Sequence, residues 1–219
     1  MPVNTDYEEM LRRMNVNAMQ TCHSYDDFIR KVYQRENQEI PVTFAILVAD
    51  YHQQNAREYI INYVSRFDRL SEKYINFYLP GYEFSIPEKA DIGISGSYYR
   101  FDRMEYIDFL EHFCGDFDMD FPYTPVLALI EYDRGAVQSS RKVIIELEAN
   151  GSDIKQSGRL IETIINIAKE HVSLDAFSHE LVRRKMVGSL LDRIVESIDN
   201  ALLASVVSGF QNTRRYCIK

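Results

Sequence analysis

The polar residues best placed to do chemistry stand together. Asp50-Tyr51-His52-Gln53-Gln54-Asn55, with Arg57 two residues on, directly follows the apolar run Phe44-Ala45-Ile46-Leu47-Val48-Ala49. A histidine titrates near neutral pH and beside a carboxylate could move a proton. Asp50 and His52 are only two residues apart, however, and no nucleophile accompanies them, so His52 reads as an exposed side chain. Asn55, with Glu58 three residues later, has the spacing of a helix N-cap. The unpaired N–H groups of such a helix end, with Arg57 beside them, would suit an anion.

Other combinations carry less. Cys114 adjoins His112 in sequence only and reads as a buried apolar side chain. Gly93-Ile94-Ser95-Gly96-Ser97 lacks the lysine of a phosphate-binding loop and reads as a flexible loop. Asp116, Asp118 and Asp120 lack the glycine and distal glutamate of a calcium loop, and the interleaved Phe117, Met119 and Phe121 point to packing. No metal site and no cofactor are expected. Tyr98, Tyr99 and Phe101 beside Arg100 and Arg103 have the composition of a base-stacking surface. The acidity of the chain favours a protein interface instead.

That acidity follows from 25 Lys and Arg against 33 Asp and Glu in 219 residues, a net charge of −8. Broad nucleic-acid binding needs a basic face and is not expected. Cys22, Cys114 and Cys217 are odd in number and widely spaced, which fits neither a disulfide framework nor a zinc site. No apolar run approaches the roughly 18–20 residues that cross a bilayer. A soluble cytoplasmic protein is the expectation, with Asn150-Gly151-Ser152 a turn rather than a glycosylated sequon.

The elements that must position these residues alternate. Residues 5–35 read as helical, with Ser24 and Asp27 as a capping box. The run 44–49 suits a strand buried on both faces. A helix carrying Tyr59, Ile60, Tyr63, Val64 and Phe67 follows, then a strand at 74–79 ended by Pro80-Gly81. This is a right-handed crossover between parallel strands. Residues 81–100 form an excursion. Asp102 then caps a helix from Arg103 to about Gly115, and strands at 126–130 and 143–147 turn at Gly135. Ser157 caps a further helix, and a long apolar stripe from Phe177 to Ser208 predicts a C-terminal helix.

The order strand, helix, strand, helix, strand, strand, helix resembles the thioredoxin-like fold. The strand Phe44 to Asp50 is similar to the family's central strand, and Thr124-Pro125-Val126-Leu127 to the segment carrying its cis-proline. The resemblance spans residues 24–172. It implies a central mixed sheet flanked by helices within 41–172, with an insertion near 81–100, an N-terminal helical segment at 1–40 and a helical C-terminal extension at 173–219. It also implies a Cys-x-x-Cys near Asn55 to Glu58, where this chain has no cysteine. Dithiol exchange needs an attacking and a resolving thiol, so that chemistry is not expected there. Tyr123, Thr124 and Pro125 would lie beside the 50–57 loop. The expected function is a non-redox binding or interaction module, homodimeric through its C-terminal helix, recognising a protein partner with Asp50, Tyr51, His52, Asn55, Arg57, Tyr123, Thr124 and Pro125. The alternative is an enzyme or nucleotide-sensing domain holding a small anionic ligand at the same loop.

Overall fold

The chain is seen here as a computed structural model that describes residues 18–36, 41–72, 74–147, 153–183 and 194–197. It is a mixed α/β structure. The first strand, β1 (Met19–Cys22), lies where sequence periodicity predicts helix. It pairs in parallel with β3 (Phe77–Pro80), Met19 opposite Phe77 and Cys22 opposite Pro80. The apolar side chains of so short a segment satisfy either period, and pairing with a neighbouring strand outweighs propensity. A boundary at residue 41 would separate β1 from its partner.

Helix α1 (Tyr25–Arg35) starts as expected at Ser24, whose hydroxyl accepts the Asp27 N–H at 3.2 Å. The reciprocal bond is displaced by one residue, because the Asp27 carboxylate accepts the N–H of His23. Strand β2 (Val42–Val48) is buried at every position, as its continuous apolar run requires. It pairs in parallel with β3 through Ala45 and Ile46.

The helix expected after β2 is broken. Helix α2 (Gln54–Tyr59) is followed by a 3-10 turn at Ile61–Tyr63 and then by α3 (Val64–Ser71). Ile60 and Ile61 are both at most 1 % exposed. Adjacent residues on a straight helix diverge by about 100°, so the break lets both turn inward.

Residues 81–100 contain structure rather than only loop. β4 (Tyr82–Phe84), β5 (Ile92–Ile94) and β6 (Ser97–Phe101) form a small antiparallel sheet in the order β4-β6-β5. The supposed flexible loop is the β5–β6 hairpin, turning on Ser95 and Gly96 with φ of 47° and 82°. Helix α4 (Arg103–Asp116) starts on Asp102, whose carboxylate accepts the N–H groups of Met104 and Glu105 at 2.9 and 3.3 Å.

β7 (Val126–Asp133) and β8 (Ala136–Glu146) form a hairpin through Arg134 and Gly135. Helix α5 (Ser157–Ala168) takes Ser157 as its first residue, and the serine hydroxyl donates to the Leu147 carbonyl at 3.4 Å. Helix α6 (Leu174–Arg183) occupies the beginning of the expected long C-terminal helix. That helix does not continue to Ser208, because Ile194–Ser197 form β9, antiparallel to β8. The β-branched pair Ile194-Val195 meets an available sheet edge, which overrides the helical stripe. Residues 5–17, the sequon at 150–152, the apolar run 201–207 and Cys217 lie outside the described residues.

The large sheet runs β1-β3-β2-β7-β8-β9, with β1, β3 and β2 parallel and the remaining neighbours antiparallel. On one face Phe28 of α1 meets Phe44, Tyr78 and Phe109 of α4 at 5.4–6.3 Å between rings. Ala45, Leu47 and Phe77 point the other way and are equally buried, so both faces are covered. α3 and α5 form a second helix pair, bridged by Arg66 and Glu162 at 2.7 Å.

Candidate functional site

The chain leaves β2 and turns at once into the polar loop. Asp50 is 8 % exposed, and its carboxylate accepts the main-chain N–H of His52 at 2.8 Å. Its carbonyl accepts the N–H of Gln53 at 3.0 Å. These bonds wind the chain into an Asx turn that enters α2 two residues earlier than an Asn55 cap would allow. Gln53 is the N-cap, without a side-chain bond, and Asn55 is an exposed residue of the helix. The Asp50 carboxylate therefore contacts the backbone of His52, and its hydrogen bonds make no Asp–imidazole pair. The His52 ring sits against Phe101 at 5.5 Å.

Tyr51 packs against Phe101 at 6.2 Å and carries the Arg57 guanidinium over its face at 5.6 Å. The second expected segment does arrive here. Gln53 Nε2 donates to the Tyr123 carbonyl at 3.3 Å. The Tyr123 side chain is 86 % exposed, with Phe121 at 6.0 Å between rings. Thr124 is half-buried; Pro125 is buried and its carbonyl accepts the Leu147 N–H at 2.8 Å. No peptide bond among the described residues is cis, so the bond before Pro125 is trans.

Three residues here were absent from the sequence-derived site. Arg103 reaches Asp50 with Nε at 3.4 Å, Phe101 supports both Tyr51 and His52, and Tyr106 packs against Phe101 at 5.3 Å. The aromatic–arginine stretch 98–103 was a signal in its own right, but nothing local tied it to residue 50. Tyr82 also stacks on Phe101, at 5.1 Å. Its hydroxyl is buried without a hydrogen-bond partner among the described residues. Burial, then the negative charge of Asp91 and the neighbouring phenols and Asp50, pushes that phenol well above its ordinary range. Burial and Asp50 do the same to Tyr106. The Asp50 carboxylate is thus flanked by neutral phenols and one guanidinium.

The other motifs separate in space or are otherwise engaged. The His112 ring stacks on Tyr25 at 5.7 Å and its Nδ1 meets the Asp108 carbonyl at 2.9 Å, rather than Cys114. The Cys114 thiol lies 3.8 Å from the Asp120 carbonyl, and burial followed by the Asp120 charge pushes it up. Asp116 accepts the Tyr25 hydroxyl at 2.6 Å. Cys22 is fully buried, and desolvation pushes its thiol up despite Lys31. Among the described residues no group of three or more His, Cys, Asp or Glu side chains is arranged to hold a metal ion, and no helix is long and apolar enough to cross a membrane. Comparison with known proteins returns no matching family model, no matching curated protein and no matching solved structure.

Proposed function

We propose that this chain is a non-redox binding module of thioredoxin-like fold, which recognises a protein partner at the face where the 50–57 loop meets residues 121–125. The observation that carries the reading is the Gln53–Tyr123 hydrogen bond. It joins segments 70 residues apart at the ends of two adjacent strands and leaves the Tyr123 ring 86 % exposed. Large exposed aromatics are favoured at binding hot spots. The strand order β1-β3-β2-β7-β8, with helices between the first three strands, supports the fold assignment. The trans bond at Pro125 departs from that family's pattern.

A binding role agrees with the chemistry at hand. The residues after β2 include no thiol, and Cys22 is buried in the core. An anionic ligand gains little support. α2 has only six residues, and the Asp50 carboxylate occupies the loop before it. Homodimerisation is part of the proposal, but the run 201–207 that motivates it lies outside the described residues.

A photo-crosslinking residue in place of Tyr123, with one in place of Glu88 as control, tests the reading in cells. A discrete protein adduct formed only from position 123 is expected. Native mass spectrometry of the purified chain provides the opposing result. A small molecule retained in the folded chain, with no adduct from position 123, would replace the interaction module by a ligand-binding domain.

A further inference from the structure

We infer that this face takes an acidic protein segment anchored by apolar side chains, and that the inserted sheet and the start of α4 build half of the surface. The inference rests on the binding-module reading and adds the chemistry of the partner. Contacts run without a break across the face. The Tyr123 carbonyl accepts from Gln53, the Gln53 N–H donates to the Asp50 carbonyl, the Asp50 carboxylate meets Arg103, and Met104 follows. Both ends carry exposed apolar bulk, Tyr123 at 86 % and Met104 at 75 %. Tyr, Met and Arg are the side chains that interface cores favour.

Charge decides the occupant. The whole chain carries −8, yet two guanidiniums, Arg103 and Arg57, stand between these apolar ends against the single carboxylate of Asp50. Asp50 is buried, while the Arg103 side chain is 61 % exposed. Arg103 uses only Nε on Asp50, at 3.4 Å, and its terminal nitrogens have no partner among the described residues. The neighbouring carboxylates are already engaged. Asp102 caps α4, Glu105 faces His23 at 3.9 Å, and Glu58 accepts from Gln54 at 2.8 Å. A guanidinium with free terminal N–H groups is shaped for bidentate pairing with a carboxylate.

The probe is a phage-displayed library of random linear peptides, selected at low salt against the full chain. Enriched peptides are expected to carry Asp or Glu beside aromatic or aliphatic residues. A synthetic peptide of that sequence should bind about tenfold more weakly or worse to Arg103→Glu, and equally well to Lys89→Glu, an exposed charge reversal away from the face. Peptides lost on Tyr123→Ala but without acidic preference, and indifferent to Arg103→Glu, would overturn the inference and leave the binding module standing. Peptides insensitive to both Tyr123→Ala and Gln53→Ala, or a library that enriches nothing, would overturn both. Self-association of the purified chain abolished by Arg103→Glu would make a second copy the occupant and remove the acidic segment.

Discussion

Glu36 shows how a single buried side chain ties the stability of this fold to pH. It is 3 % exposed and sits at the C-cap of α1. Oε1 accepts Asn76 Nδ2 at 2.6 Å and the Tyr78 hydroxyl at 2.9 Å. Burial raises the carboxyl above its ordinary 4.5, and these two hydrogen bonds offset it only in part. The folded state therefore holds a proton where the unfolded chain has already lost it. The associated stability is fully present below pH 4.5 and is lost as pH rises through the higher folded value. Glu36→Gln keeps the oxygen acceptor and removes the titration. Its urea midpoint should exceed that of the parent increasingly above pH 4.5, whereas a constant difference would remove Glu36 as the cause. Glu131, also raised by burial, acts in the same direction but is common to both proteins. Asp27 acts elsewhere: burial works against its charge, but Lys31, Arg30 and the His23 N–H hold it below 3.8, so its contribution is lost only in stronger acid.

Elements are held in place by a few such groups and by glycine geometry. Asp68 of α3 is 5 % exposed and accepts both the Met19 N–H, at 2.8 Å, and the Ser95 hydroxyl. It fixes edge strand β1 and the β5–β6 hairpin at once. Asp68→Ala should cost about 1–3 kcal/mol and speed hydrogen exchange at the Met19 amide. Exchange unchanged there would show that β1 is held by its pairing with β3 alone. Gly81 and Gly96 make a sharper comparison, because their φ angles, 80° and 82°, are nearly equal. A Cβ on Gly81 would stand 2.6 Å from the Tyr106 Cβ, whereas one on Gly96 meets nothing within 4 Å. Gly96→Ala should cost about 1–2 kcal/mol from backbone strain alone. Gly81→Ala adds the collision with α4 and should be clearly worse in thermal unfolding. Equal losses would show that Tyr106 yields without cost.

At the scale of the molecule, what could be read from sequence was what local pattern dictates. The apolar run of β2, the Asp102 cap of α4 and the turn at Gly135 each carry their own signal and lie where expected. The lengths of β7 and β8 were hidden by Glu131 and Lys142, charged residues buried in strands. Each has a distant partner: Glu131 meets Arg141 at 2.8 Å, and the Lys142 amine donates to the Phe117 carbonyl. The same limit explains the candidate site. Asp50 and Tyr123 were placed together by the order of strands, but Arg103 and Phe101 reach them through a sheet whose packing no local spacing announces. β1 and β9, the outermost strands, depend wholly on their neighbours. That dependence separates two origins of self-association. β9 covers β8 from Lys142 to Ile145. Val195→Pro removes an N–H and disfavours this pairing, and an uncovered strand edge rich in β-branched residues is a template for other chains. Val195→Pro should therefore aggregate more than the parent, while a dimer formed by residues beyond 197 should persist in it. Deleting residues 198–219 reverses the expectation, because β9 stays and the proposed dimer is lost. Sedimentation velocity on both variants reads the two effects apart; a dimer that survives the deletion would assign self-association to a surface other than the C-terminal run.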